Sequence, residues 1–220
     1  MKKLLGILVL GLLWCNVGFA ADTIDRIFGV KLNDDVSEYA KIENGRKIED
    51  GILRNTYYFK GEDLTLDRDL NFEKYYLRTD ENFKVINVSG LVVKLVSFDN
   101  FKNQCLIDRN KLISDTAKYL NIDQNEFENY YRKNNLDKET YTINGKKVKT
   151  LWHYASYSYE DNGQKFRLMV YCAYGERDEN LYVWLFLSWF SEDYYRKYVL
   201  PRFEIIKPFN NSFIKEFLKN

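Results

Sequence analysis

Histidine occurs once in this 220-residue chain, at position 153, and proline only twice. A single imidazole, with Cys105 and Cys172 lacking any close-spaced ligand pair, does not fill a structural zinc site. G-x-S-x-G and H-E-x-x-H motifs and a phosphate-cradling glycine loop are also missing, so neither a metal nor another cofactor is expected. No charge sign dominates: 33 basic residues stand against 32 acidic ones, and no segment is strongly biased. Nucleic acid and strongly anionic membrane surfaces both require a basic face, so neither is an expected partner. Low-complexity tracts and proline- or serine-rich linkers are absent, while 18 Tyr and 15 Phe are present. That balance argues against disorder and for a packed core.

Long apolar runs are scarce as well. The first, Leu4 to Trp14, follows Lys2 and Lys3 and precedes Gly18-Phe19-Ala20. A charged start, an apolar stretch too short to span a bilayer and small residues at its end predict a removable export signal over residues 1–20, with a mature start at Ala21. Cys15 follows Trp14 rather than a small residue, so lipid attachment there is not expected. The second run, Leu181 to Phe190, is ten residues long and reads as a buried strand, leaving no integral membrane segment after signal cleavage. Residues 21–220 suffice for one hydrophobic core and are read as a single domain. The opening MKKLLGILVLGLLWCNVGFA, with IFGVKLNDDVSEY after it, resembles the start of uncharacterised small exported proteins of Gram-negative bacteria. The resemblance implies a periplasmic or secreted setting and transfers no functional residue.

Export leaves an even pair of cysteines. Cys105 falls on the apolar side of a helix expected from Asn100 to Asn121, and Cys172 follows Phe166, Leu168 and Val170 on the inward face of a strand. In an oxidising compartment they are expected to form a disulfide. Closing that 67-residue span constrains the unfolded chain by about 4 kcal/mol in the chain-entropy model.

The remaining pattern predicts a strand over Phe28 to Leu32, a capped turn at Asn33 or Asp34, and turns at Asn44-Gly45 and Asp50-Gly51. Strands come next at Phe72–Thr79 and Phe83–Ser89 around the turn Asp80-Glu81-Asn82, with a bulge or bend at Gly90 before the run Leu91–Phe98. Asp123 and Glu126 stand at capping-box spacing and predict a short helix from Gln124 to Lys133. Asn144-Gly145 marks one hairpin. Asn162-Gly163 marks a clearer one, pairing Trp152–Tyr159 with Lys165–Tyr174 and setting Glu160 opposite Lys165. Ser191 starts a last short helix to about Tyr198. The expected fold class is α+β: a mostly antiparallel sheet packed by one long and two short helices, with one disulfide. A faint echo between Arg78–Ser89 (RTDENFKVINVS) and Arg177–Ser188 (RDENLYVWLFLS) reads as a shared turn solution rather than duplicated halves.

The same hairpin sorts the candidate site residues. His153, Ala155, Tyr157 and Tyr159 share one face with Cys172, Val170, Leu168 and Phe166. A Cys172/His153 pair is a nucleophilic arrangement in principle, but this register buries both groups. The other face carries Trp152, Tyr154, Arg167 and Tyr171 with Ser156 and Ser158, a set of rings and hydroxyls suited to sugars or extended peptides. The double-sided apolarity of Leu181–Phe190 predicts instead that residues 21–70 fold across this face. The carboxylates of Glu62–Asp69 lack calcium-loop spacing, and no pair of acids is singled out for glycoside hydrolysis. The leading expectation is an exported, non-catalytic domain that binds a protein or envelope component. Alternatives are an envelope hydrolase using carboxylates or Cys172/His153, and a sugar- or peptide-binding module using the aromatic face.

Overall fold

Two long, largely apolar segments, VINVSGLVVKL and NLYVWLFLSWFS, become neighbours at the centre of a sheet of nine strands among the described residues. The computed structural model describes residues 24–49, 53, 55–67, 70–97, 100–134, 140–143, 146–149, 152–177 and 180–208. The export signal with Cys15, the Ala21 start and the turns at Asp50-Gly51 and Asn144-Gly145 lie outside these residues.

The strands are β1 (Arg46–Ile48), β2 (Thr56–Lys60), β3 (Lys74–Thr79), β4 (Val85–Leu95), β5 (Glu128–Asn134), β6 (Thr140–Ile143), β7 (Lys146–Lys149), β8 (Trp152–Asp161), β9 (Gln164–Arg177), β10 (Asn180–Ser191) and β11 (Phe203–Pro208). The large sheet has the order β1-β2-β3-β4-β10-β9-β8-β5-β11, antiparallel throughout, and among the described residues β6 and β7 form a separate pair. The helix α1 (Phe101–Leu120) lies across β9 and β10. Its buried residues Phe101, Cys105, Leu112, Thr116 and Ala117 recur at helical spacing, and Asn121 ends it in the left-handed conformation, φ 53°.

The expected α+β arrangement with three helices is corrected here. The architecture is one large antiparallel sheet with one long helix. Asp123 caps only a 3-10 turn, Gln124–Glu126, and the chain then enters β5. Pairing between β5 and β8 satisfies a whole row of backbone groups, which overrides the local capping signal. After β10, Ser191 accepts from the Tyr194 amide as a helix cap, but one α-turn (Glu192–Tyr194) passes directly into one π-turn (Tyr195–Val199).

Two smaller expectations also change. Phe28–Leu32 is not a strand: Phe28 and Gly29 have φ 56° and 76° inside an Ile27–Val30 bridge, a tight turn of the I′ kind. Gly90 sits in continuous β4 rather than at a bulge; a β-carbon there would stand 2.5 Å from the Phe72 ring. The irregularity falls instead between Arg78 and Thr79, where the pairing skips Ile86.

The helix side of the sheet holds the main core. Leu77, Val88, Trp189, Leu168 and Tyr157 form part of it, and the amino-terminal residues Ile24, Ile27, Phe28, Val30 and Val36 pack into the same cluster. The Tyr159 hydroxyl donates to the Ile24 carbonyl at 3.0 Å and accepts from Trp189 Nε1 at 2.8 Å, fastening that segment on the helix side. Residues 24–40 therefore do not lie across the face that carries Tyr154.

Candidate functional site

The hairpin β8–β9 has the register its turn dictates, with Glu160 opposite Lys165 and His153 opposite Cys172. Asn162 and Gly163 have φ 50° and 77°, as a two-residue I′ turn requires. Cys105 and Cys172 form the disulfide, with Cα atoms 5.7 Å apart and both residues fully buried. The sulfur that a Cys172/His153 pair would need is already bonded. His153 is 1 % exposed, and burial, reinforced by the Arg109 and Lys102 charges, lowers its pKa to about 3. Arg109, on the buried side of α1, donates to the Tyr154 carbonyl and to Asn110, and burial lowers its pKa to about 10. This side of the sheet is built for packing.

The opposite face differs. Cross-strand register places Phe186 beside Tyr171 and Tyr171 beside Tyr154, and their rings stack at 4.6 and 4.9 Å. Trp152 stacks on Tyr171 at 5.7 Å, and Tyr182 on Trp184 at 6.4 Å. Toward the other edge, Tyr58 stacks on Tyr76 at 5.2 Å. Between these groups lies a polar floor. Ser89 and Ser188 face each other across β4 and β10 with hydroxyls 2.9 Å apart, and Ser89 donates to Asn87 Oδ1 at 3.1 Å.

The helical stretch after β10 covers one part of this face. Tyr194 and Tyr195 pack with Phe190, Met169 and Tyr154, and Tyr198, Val199 and Leu200 add to that cluster. Arg167 holds the stretch down: its Nε donates to Glu192 at 2.9 Å, and its guanidinium lies 4.2 Å from the Tyr195 ring centre. Of the four residues read from the sequence, Tyr154 is buried in this cluster and Arg167 is committed to Glu192, while Trp152 and Tyr171 are half-buried. Phe186, Trp184, Tyr182, Tyr76 and Tyr58 are half-buried on the same face.

Sequence reasoning missed these five and Arg78. Alternation within β3 and β10 shows that Tyr76 and Arg78, or Tyr182, Trp184 and Phe186, share a face. No local turn encodes the β4–β10 pairing that puts both sets on one side as Trp152 and Tyr171.

A cleft of about 480 Å³ opens beside the Tyr58–Tyr76 stack, lined also by Lys60, Gly61, Glu62, Glu73, Lys74 and Tyr75. Gly61 makes room there, since a β-carbon would stand 2.8 Å from Tyr75 Cβ. Among the described residues no cluster of His, Cys, Asp and Glu could hold a metal ion, and no helix is long and apolar enough to cross a membrane.

The fold and this face define a β-rich domain with an aromatic, hydroxyl-bearing sheet surface. No protein-family model matches the chain, and no curated protein is significantly similar to it.

Proposed function

We propose that the protein is an exported, non-catalytic binding domain of the envelope, with the second sheet face as its ligand surface and a glycan as the ligand class. One observation carries this reading: half-buried, near-parallel rings of Phe186, Tyr171 and Trp152 continue toward Trp184 and Tyr182 on the side of the sheet away from α1. Flat rings beside hydroxyls suit pyranose rings, which present apolar C–H faces and polar edges. An extended peptide suits this face less, because β4, β10 and β9 are central strands whose neighbours already take their backbone groups. The buried disulfide fits the oxidising compartment that export would supply.

Titrating the protein with soluble tetrasaccharides while following tryptophan emission tests the reading. A ligand that alters emission in the wild type is expected to bind at least tenfold more weakly to Phe186→Ala, with the melting temperature little changed. Undiminished affinity in Phe186→Ala and Trp184→Ala would overturn it.

A further inference from the structure

Arg78 is the unusual charge on the second face. It projects from β3 between Tyr58 and Asn87, one step along the strand face from Tyr76. Its one described hydrogen bond runs from Nη1 to the Tyr194 hydroxyl at 3.0 Å, and its Nε is shielded from solvent with no acceptor. Tyr58 and Asn87 are its cross-strand neighbours. Arg167, two strands beyond β4 on the same face, is by contrast paired with Glu192.

Arg78 is half-buried, and a guanidinium partly withdrawn from water without a carboxylate is costly, because burying a charge is ordinarily offset by pairing it. Neighbouring hydroxyls can accept from Arg78 and also donate to an anion. With Nε shielded and Nη1 on the Tyr194 hydroxyl, Nη2 is the donor that an oxygen of a carboxylate or phosphate can meet. Asn87 and Phe190 share its register row, and the small side chains of Ser89 and Ser188 stand in the next.

We infer that Arg78, with the Tyr58 and Tyr194 hydroxyls, forms an anion subsite on the aromatic face that takes the carboxylate of an acidic sugar unit. This inference rests on the glycan reading above and adds the charge of the ligand to it. Tyr76 stands in the serine row next to Arg78 and Phe186 in the row beyond it, so a chain of several units that stacks on these rings can extend its acidic group to the arginine.

The test compares three probes by calorimetry: a tetrasaccharide of alternating glucuronate and N-acetylglucosamine, its carboxyl-methylated neutral form, and inorganic phosphate. The wild type is expected to bind the acidic tetrasaccharide at least tenfold more tightly than the neutral one. Arg78→Met should abolish that preference without lowering the melting temperature, and Arg78→Lys should retain part of it. Phosphate binding as tight as the acidic sugar would show a bare anion site and overturn the sugar assignment. Equal binding of acidic and neutral forms, lost in Phe186→Ala, overturns the anion subsite and keeps the aromatic-face reading; equal binding that survives Phe186→Ala overturns both. Failure of the wild type to bind any of the three overturns the subsite, as does a preference that persists in Arg78→Met.

Discussion

His153 shows how one residue type can be chemically suggestive and structurally inert. Held at a pKa of about 3 against an unfolded value near 6.5, it stays neutral in the folded protein, while the unfolded chain takes up a proton. The stability it contributes is complete above about pH 6.5 and declines as the pH falls toward 3. Urea melts at pH 7.5 and 5.0 are expected to show the wild type losing more stability than His153→Leu, by up to about 1.4 kcal/mol per pH unit within that window. Identical pH dependence would place the imidazole in water. Gly90 carries a second prediction at this scale. Its missing side chain admits the Phe72 ring, so Gly90→Ala should cost about 1–3 kcal/mol in a denaturant melt, with Phe72→Leu in the same chain recovering part of the loss.

At the scale of elements, α1 is joined to β9 covalently as well as by packing. Replacing both Cys105 and Cys172 by alanine should lower stability by about 2–5 kcal/mol, and reduced wild type should melt close to the variant. A reductant-insensitive wild type would deny the bridge. The stretch from Glu192 to Val199 depends on a different fastening, in which Glu192 serves both Arg167 and Arg196. Glu192→Gln is expected to speed amide hydrogen exchange over residues 192–200 while leaving the exchange of β9 and β10 unchanged. Parallel changes in both would mean that the stretch is integral to the sheet rather than laid on it.

For the whole molecule, legibility in the sequence tracked contact range. The β8–β9 hairpin was legible to the residue pair because Asn162-Gly163 fixes its register, and α1 was legible because its apolar period runs for five turns. The 124–134 region was not: Asp123 gives a true capping signal, but distant strands decide the conformation of the residues beyond it. The candidate surface was half legible. Trp152, Tyr154, Arg167 and Tyr171 lie together as the alternation says, yet which of them remain at the surface depends on Glu192 and Tyr195, and their neighbours Phe186 and Tyr76 arrive through long-range pairing. The echo between Arg78–Ser89 and Arg177–Ser188 has a geometric counterpart at its end, where the two closing serines meet across β4 and β10. Asp178 and Glu179 lie outside the described residues.

The seam between β4 and β10 also has a kinetic consequence. Hairpins on either side of it close locally, whereas Ser89 must find Ser188 across 99 positions, so the seam is the slow step expected of a high-contact-order sheet. The Cys105–Cys172 bridge shortcuts 67 positions of that same loop. Loop-closure entropy then favours the oxidised chain by about 1 kcal/mol at the barrier, a several-fold gain in rate. Stopped-flow refolding of oxidised and reduced protein should show that ratio. Oxidation early in folding, before the two halves of the sheet join, is thus the order of events that shortens the chain's exposure to aggregation.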